Sequence, residues 1–338
     1  MDTDASAPVP PPPGRYAVTG AAGFIGRRLL RRLADAGREA VCLDVAPPTT
    51  LAPGHRFERC DLRDAAATRR AMEGAAPDFV VHLAARVGDW GSFADFEAIN
   101  VTGARHAIED ALAAKARRVV HVSSIAAMGL DAGAVADEAV GPFASSDPYS
   151  ATKGAGEMVA REFQRAGRPV VVVRPGDVYG VGSVPWVVRP VGLLRAGQMV
   201  LVDGGRGHFA HVHVDNLLDA ILRTLDRDEA VGETFIVTDG DTQCTVGAYF
   251  QKLAAAAGAP PPTRSVPRVV AKALGAAFEG AARLTGRAPA FTRVAVDFVL
   301  RRGSFSIEKA RSTLDWAPRV SLDEGLAEIE EHYRAGGQ

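Results

Sequence analysis

Thr19-Gly20-Ala21-Ala22-Gly23-Phe24-Ile25-Gly26 joins an apolar run over residues 15–19 to an amphipathic stretch over residues 24–36. The first reads as a strand and the second as a helix, so the glycines occupy a strand-to-helix turn. Glycine is required where the backbone turns tightly, where a pyrophosphate approaches the main chain, and where helix meets strand. The free N–H groups and the dipole of a helix N-terminus favour phosphate. Gly20, Gly23, Phe24, Ile25 and Gly26 are therefore read as a dinucleotide cradle. The strand–turn–helix context weighs against the other reading, a glycine-rich turn of a flavodoxin-like protein.

Outward from this turn, strands and helices alternate. Strands are expected at 39–44, 78–83, 117–123 and 169–174. Helices are expected at 64–73, 93–114 and 148–166. Near-continuous apolar strands alternating with helices imply a parallel sheet covered on both faces, and right-handed crossovers make it a doubly wound Rossmann α/β fold. After Arg174 Pro and Gly become denser. A helix is expected from Asp215 to 225, a strand at 233–238, a Pro-rich break at 260–267 and a closing helix at 322–333. The expected division is a disordered Pro/Ala-rich tail (1–13), a dinucleotide-binding domain (14–180), and a smaller substrate-binding region (181–338) with segments returning to the core. No internal repeat is visible.

Composition bounds the function. The 338 residues have a formal net charge of −1 and 47% hydrophobic residues, an ordinary soluble balance that offers nothing to nucleic acid. Arg27, Arg28, Arg31 and Arg32 fit the solvated face of an amphipathic helix. Three unpatterned cysteines, Cys42, Cys60 and Cys244, predict neither a disulfide framework nor a zinc site. No apolar run is long enough for a transmembrane helix, and residues 2–13 lack the features of a signal peptide, so a cytoplasmic location is expected. His211 and His213 share a strand face, but no third ligand is apparent, and no metal is assigned.

Asp44 ends the second strand, where an acid meets the adenosine ribose. It favours NAD and would repel a 2′-phosphate, although Arg27 or Arg28 leaves NADP open. Tyr149 and Lys153 stand four apart, on one face of a helix. A nearby ammonium favours the phenolate, and a tyrosine so tuned can exchange a proton with a substrate hydroxyl. Ser123 and Ser124 end the preceding strand, at the carboxyl edge where ligands bind, and one hydroxyl can donate to a developing alkoxide.

With these residues the chain resembles the extended short-chain dehydrogenases/reductases, the epimerase/dehydratase superfamily that includes the 3β-hydroxysteroid dehydrogenases. The resemblance runs from Gly14 onward. It is carried by the cradle, Cys60-Asp61-Leu62, His82-Leu83-Ala84-Ala85, Asn100-Val101, His121-Val122-Ser123-Ser124, Tyr149 through Lys153, Arg174-Pro175-Gly176-Asp177-Val178-Tyr179-Gly180 and His213-Val214-Asp215-Asn216. It implies that Asp61 and Leu62 meet the adenine, and that Leu83, Ala84, Ala85, Asn100 and Val122 line the dinucleotide. It further implies Pro175 and Val178 near the nicotinamide, Ser124, Tyr149 and Lys153 as the catalytic set, and a homodimer through the helices holding Asn100 and Tyr149.

Three departures separate the chain from the sugar-nucleotide branch. Phe209 occupies the position of an Arg, with Arg206 three residues away. Asp177 replaces an Asn, and its carboxylate would repel a diphosphate. Arg301-Arg302-Gly303 runs into Ser304 where that branch has Arg-x-Gly-Asp. The segment from Phe209 to Asn216 is similar to the 3β-hydroxysteroid dehydrogenase-like branch. Met128, where many relatives have Tyr, makes the pocket less polar. The apolar stretch 266–286 either walls a greasy pocket or packs on the sheet. Ser124, Met128, Asp177 and Phe209 are the expected substrate contacts. The reading is an NAD-dependent oxidoreductase that interconverts an alcohol and a ketone on an apolar, sterol-like or natural-product substrate. The alternatives are a nucleotide-sugar 4-epimerase/dehydratase and a dinucleotide-binding redox sensor without turnover. Retention of Tyr149 and Lys153 argues against the sensor.

Overall fold

The computed structural model describes residues 7–129, 133–143 and 145–337. The strands are β1 (Tyr16–Thr19), β2 (Ala40–Asp44), β3 (His55–Arg59), β4 (Phe79–His82), β5 (Arg118–Val122), β6 (Val135–Ala136), β7 (Val170–Pro175), β8 (Asp177–Tyr179), β9 (Val200–Val202), β10 (His211–His213), β11 (Thr234–Val237), β12 (Arg264–Val266) and β13 (Ser304–Phe305). The helices are α1 (Phe24–Asp35), α2 (Ala65–Ala75), α3 (Phe93–Glu97), α4 (Ala104–Ala113), α5 (Pro148–Arg165), α6 (Arg189–Arg195), α7 (Val214–Asp226), α8 (Val246–Ala256), α9 (Arg268–Thr285), α10 (Arg293–Val299), α11 (Glu308–Leu314) and α12 (Leu322–Arg334).

Seven strands form one parallel sheet in the order β11-β7-β5-β4-β1-β2-β3. The valines of β7 are buried on both faces, as a sheet covered by helices requires. One face packs against α1 and α7 through Leu29, Leu33, Leu217 and Ile221; the other packs against α2 and α4 through Met72, Ala107 and Ile108. The chain travels outward from β1 to β3 and then returns to lay β4 on the other side of β1. This reversal opens a crevice at the carboxyl ends of β1 and β4, where ligands of such sheets bind.

Three local features differ from expectation. His55–Arg59 is an edge strand that the periodicity concealed, because its polar residues face solvent. The helix expected over 93–114 is interrupted by a π-helical turn at Ala98–Gly103. Residues 7–13, read as part of a disordered tail, instead pack on the body. Val9 N donates to Asp219 at 2.9 Å, Arg38 Nε to Pro11 O at 3.1 Å, and the Tyr16 hydroxyl to Pro12 O at 2.7 Å. Residues 1–6 lie outside the described residues.

Two of the supposedly solvated arginines turn inward. Arg28 donates to Asp215 at 2.8 and 2.5 Å, and Arg32 pairs with Asp219 at 2.6 Å, so both join α1 to α7. The stretch expected to wall a pocket or to pack on the sheet does neither with its large side chains. Helix α9 packs through Ala271, Gly275, Glu279 and Ala282, while Val269, Val270, Leu274, Phe278 and Leu284 stay exposed.

Candidate active site

The cradle lies at the β1–α1 turn. Gly20 has φ +68°, and a Cβ there would lie 2.7 Å from Ala84 N; one on Gly26 would lie 2.3 Å from Gly20 O. Side chains at these positions would close the crevice. The N-cap Gly23 gives α1 no side-chain cap, and no acid occupies the first turn. The N–H groups of Phe24, Ile25 and Gly26 are thus left for an anionic ligand. Across the crevice, Thr19 Oγ1 bonds His82 Nδ1 at 2.7 Å and accepts from Ala84 N at 3.3 Å, which ties β1 to Leu83, Ala84 and Ala85. Asp44 accepts from Ala22 N at 2.9 Å and from Val45 N at 2.7 Å. It links the cradle to the end of β2, and its side chain is half-buried. Arg27 donates to Ala22 O at 2.5 Å and Arg28 is held by Asp215, so the two arginines that left NADP open are both engaged. These residues fit a dinucleotide.

The reactive cluster is set by α5. Asp147 caps the helix, accepting from Ser150 N at 2.8 Å, and Pro148 follows in the first turn. Tyr149 is half-buried and lies near Ser124. Burial raises the phenol above its ordinary 10; Ser124 opposes this, and Asp177 and Asp147 add to it. Lys153 donates to Val122 O at 2.7 Å. Burial pushes its amine down to about 8, against the pull of Glu157. The expected lowering of the tyrosine by this lysine is therefore corrected: burial dominates both groups. His82 and His121 stack at 5.2 Å beside the lysine, and burial drives His82 to about 3 and His121 well below its ordinary value. Both imidazoles are neutral at pH 7. Phe298 of α10 closes the cluster, 6.3 Å from Tyr149 between ring centroids.

The description "NAD dependent epimerase/dehydratase family" matches residues 16–238. The chain belongs to that family. It is 28% identical to a 2-alkyl-3-oxoalkanoate reductase of Stenotrophomonas maltophilia, over 93% of this chain and 97% of that protein. It is 29% identical to a 4-hydroxy-2-methyl-3-oxo-4-farnesyl-3,4-dihydroquinoline-1-oxide ketoreductase of Stigmatella aurantiaca, over 95% and 97%. Among solved structures it is similar to the dTDP-glucose 4,6-dehydratase of Streptomyces venezuelae with NAD and TYD bound, at TM-score 0.77 and 26% identity over 95% and 97% of the two chains. This epimerase/dehydratase-family chain is an NAD-dependent oxidoreductase.

The other expected cofactor contacts of this family member each have protein neighbours of their own. Leu62 is buried among Met72, Ala107 and Ile108, and Asp61 is held by Arg63 Nη2 at 2.6 Å, which keeps its carboxyl below the usual range. Asn100 accepts from Arg86 N at 2.7 Å and donates to Arg86 O at 3.1 Å and Thr152 Oγ1 at 3.0 Å. Its side chain positions the loop after β4. Pro175 is buried at the end of β7, and Val178 packs half-buried against the sheet.

Three of the four expected substrate contacts are buried. Met128 packs among Ile125, Ala136, Ala210 and Phe305. Phe209 packs in tilted contact with the rings of Tyr249, centroids 4.1 Å apart, and Trp186, 4.8 Å apart, with 0% exposure. Asp177 accepts from Ala210 N at 3.1 Å and forms a close ion pair with Arg301. The repulsion inferred for its carboxylate is corrected, because a guanidinium neutralises it. Arg206 is exposed. His211 bonds Asp239 at 2.9 Å and Asp241 at 3.4 Å. With Asp241 and Cys244 it brings three possible ligand atoms within 4.8 Å, neighbours that histidine spacing alone does not disclose.

Glu157 and Arg301 are the residues that sequence reasoning missed. Glu157, with 0% exposure, accepts from Ser123 Oγ at 2.8 Å and from Arg174 at 2.9 and 2.7 Å, and pairs with Arg161 at 2.8 Å. It anchors the face of α5 that carries Tyr149 and Lys153 against β5 and β7. Its signal was the further four-residue step from Lys153. Arg301 stood out only as part of the Arg301-Arg302-Gly303 departure, and its pairing with Asp177 was hidden because the two are 124 positions apart.

Proposed function

We propose that this chain interconverts a secondary alcohol and a ketone on an apolar substrate of the 3-oxoacyl or ketone-bearing natural-product class. The observation that carries the reading is the joint placement of Tyr149, Ser124 and Lys153 at the carboxyl edge of β5, beside the dinucleotide crevice. NAD, when bound, supplies the hydride acceptor, and NADH the donor. The cradle N–H groups hold its phosphates, Asp44 its ribose, and Lys153 its second ribose. The Tyr149 phenol gives a proton to the carbonyl oxygen during reduction and takes it back during oxidation. Ser124 donates to the same oxygen and orients it. Neutral His82 and His121 add no competing positive charge beside Lys153. The buried Glu157–Arg174 pair holds α5 in place.

Phe298 beside Tyr149 gives the substrate side an apolar wall, and two relatives named for reducing 3-oxo compounds carry substrates with alkyl or farnesyl groups. Arg301 beside Asp177 favours the second reading, a nucleotide-sugar 4-epimerase/dehydratase, because it removes one electrostatic objection to a diphosphate. Incubation with NAD and NADH together and either a 2-alkyl-3-oxoalkanoate or dTDP-glucose, followed by chromatography with mass spectrometry, separates them. A 3-hydroxy product two hydrogens heavier supports the reductase. An altered sugar with the NADH unspent supports the second reading.

We further infer a homodimer through α4 and α5, supported by the exposed Met158 on α5. A cytoplasmic site of action is supported by three buried free thiols and by the absence, among the described residues, of a helix long and apolar enough to cross a membrane.

A further inference from the structure

Helix α9 turns an apolar face outward, covered among the described residues only at Phe278, which meets Phe291. At 3.6 residues per turn, Val269, Leu284, Val270, Leu274 and Phe278 fall within about half the helix circumference, with Ala273, Ala277 and Ala281 between them. All of these are exposed, Val269 to 78% and Leu284 to 90%. The opposite side is what packs: Glu279 accepts from Arg293 N at 2.8 Å, and Gly275 lies against the backbone at Thr292 and Arg293. The exposed face is therefore not a frayed surface but the outer side of a helix fixed from beneath.

Charge says what covers it. Between Arg264 and Arg302 stand eight Lys or Arg and two acids, Glu279 and Asp297, in a chain whose net charge is −1. Both acids are already engaged, Glu279 by Arg293 and Asp297 by Lys272 and Arg268, and Arg301 is buried and paired with Asp177 from outside this stretch. Arg264, Arg287 and Arg302 have no ion-pair partner among the described residues, and Arg283 lies over the Trp90 ring at 5.9 Å. A broad apolar face on a helix with Arg264 shortly before its start and Arg287 just past its end is the composition of a helix that lies in an anionic lipid interface. A second copy of this chain would bring the same positive charge to the contact and be repelled.

We propose that the outer face of α9 docks this protein on an anionic membrane surface, with the helix in the interface plane. The docked face adjoins the reactive cluster: Phe278 of α9 meets Phe291, in the segment leading into α10, with centroids 5.2 Å apart, and α10 carries Phe298 to Tyr149. A lipid-dissolved substrate then reaches the site from the surface to which the enzyme is bound. That route rests on the apolar-substrate reading above; the docking does not.

The test is co-sedimentation of the full chain, without substrate, with vesicles of equimolar phosphatidylcholine and phosphatidylglycerol, and with vesicles of phosphatidylcholine alone. Binding to the anionic vesicles, weakened at least tenfold by Leu274→Asp with Phe278→Asp and by raised salt, supports docking. Both positions are solvent-exposed, and an unchanged melting temperature with unchanged NADH turnover on a short, soluble ketone shows that the variant is folded. No binding to anionic vesicles, or equal binding to phosphatidylcholine alone, overturns the proposal. So does a wild-type dimer by sedimentation velocity that the same double substitution dissociates, which would assign the face to a second copy.

Discussion

Arg301, just beyond α10, and Asp177 of β8 form an ion pair with 4% and 7% of their surfaces exposed. The pair joins the C-terminal segment to the strand that follows β7, close enough that Asp177 acts on the Tyr149 phenol. Arg301→Met leaves a buried carboxylate without its cation and is expected to cost about 3–5 kcal/mol in urea denaturation. Adding Asp177→Leu should restore more than half of that loss. In any folded Arg301→Met protein, the bared carboxylate raises the phenol further, so the pH optimum of the reaction moves upward. An unchanged optimum would separate the pair from the tyrosine.

Gly156 tests the packing that sets α5. A Cβ there would lie 2.2 Å from Asn100 O, in the π-helical turn facing it. Gly156→Ala is expected to destabilise by about 1–3 kcal/mol and to loosen the Asn100–Arg86 contact beside the crevice. Gly192→Ala, inside α6 with nothing within 4 Å, is the control. It should be neutral or stabilising by up to about 1 kcal/mol.

Asp44 bears on cofactor choice. Its substitution by Ser removes the charge at the end of β2 and the acceptor for Ala22 N. The loss of a charged hydrogen-bond acceptor is worth about 1.5–3 kcal/mol, so the KM for NAD should rise roughly tenfold or more while NADP improves. Steady-state kinetics with both cofactors measure this. An unchanged NAD/NADP ratio would place the ribose elsewhere.

Lys153 predicts a stability–pH slope in the protein without added dinucleotide. Its folded amine titrates near 8, below the ordinary 10.5. Between these values the unfolded chain holds a proton that the folded chain has released. Stability from this group therefore rises with pH across that window, by on the order of 1 kcal/mol per pH unit. Above about pH 10 the raised Tyr149 works oppositely, since the unfolded phenol ionises first. Urea midpoints measured from pH 7 to about 9.5 should climb, and Lys153→Met should flatten the climb.

Much of this architecture was legible because it rests on local rules. The glycine turn, the alternating valine strands and the Tyr149–Lys153 step each declare themselves within a few residues. What stayed hidden is nonlocal or masked by polarity. His55–Arg59 lacks an apolar face because it is an edge strand. Phe209 and Met128 sit at positions that suggest a pocket, yet the C-terminal segment folds over them and makes them core. The α9 periodicity was visible, but which face would pack was not. Small residues Ala271, Gly275 and Ala282 allow close approach on one side, and that leaves the large apolar side chains outside.

Net nicotinamide redox change under the control of Tyr149 is the most direct test of the central claim. Absorbance of NADH is followed with purified protein, a 2-alkyl-3-oxoalkanoate and other apolar ketones, with nucleotide sugars as the contrast. Wild type should consume NADH with an apolar ketone. Tyr149→Phe should lose about 10²–10⁴-fold in rate while still binding NADH by fluorescence. No net NADH change with any ketone, together with interconversion of a nucleotide sugar, would contradict the account, and so would full turnover in the Tyr149→Phe enzyme.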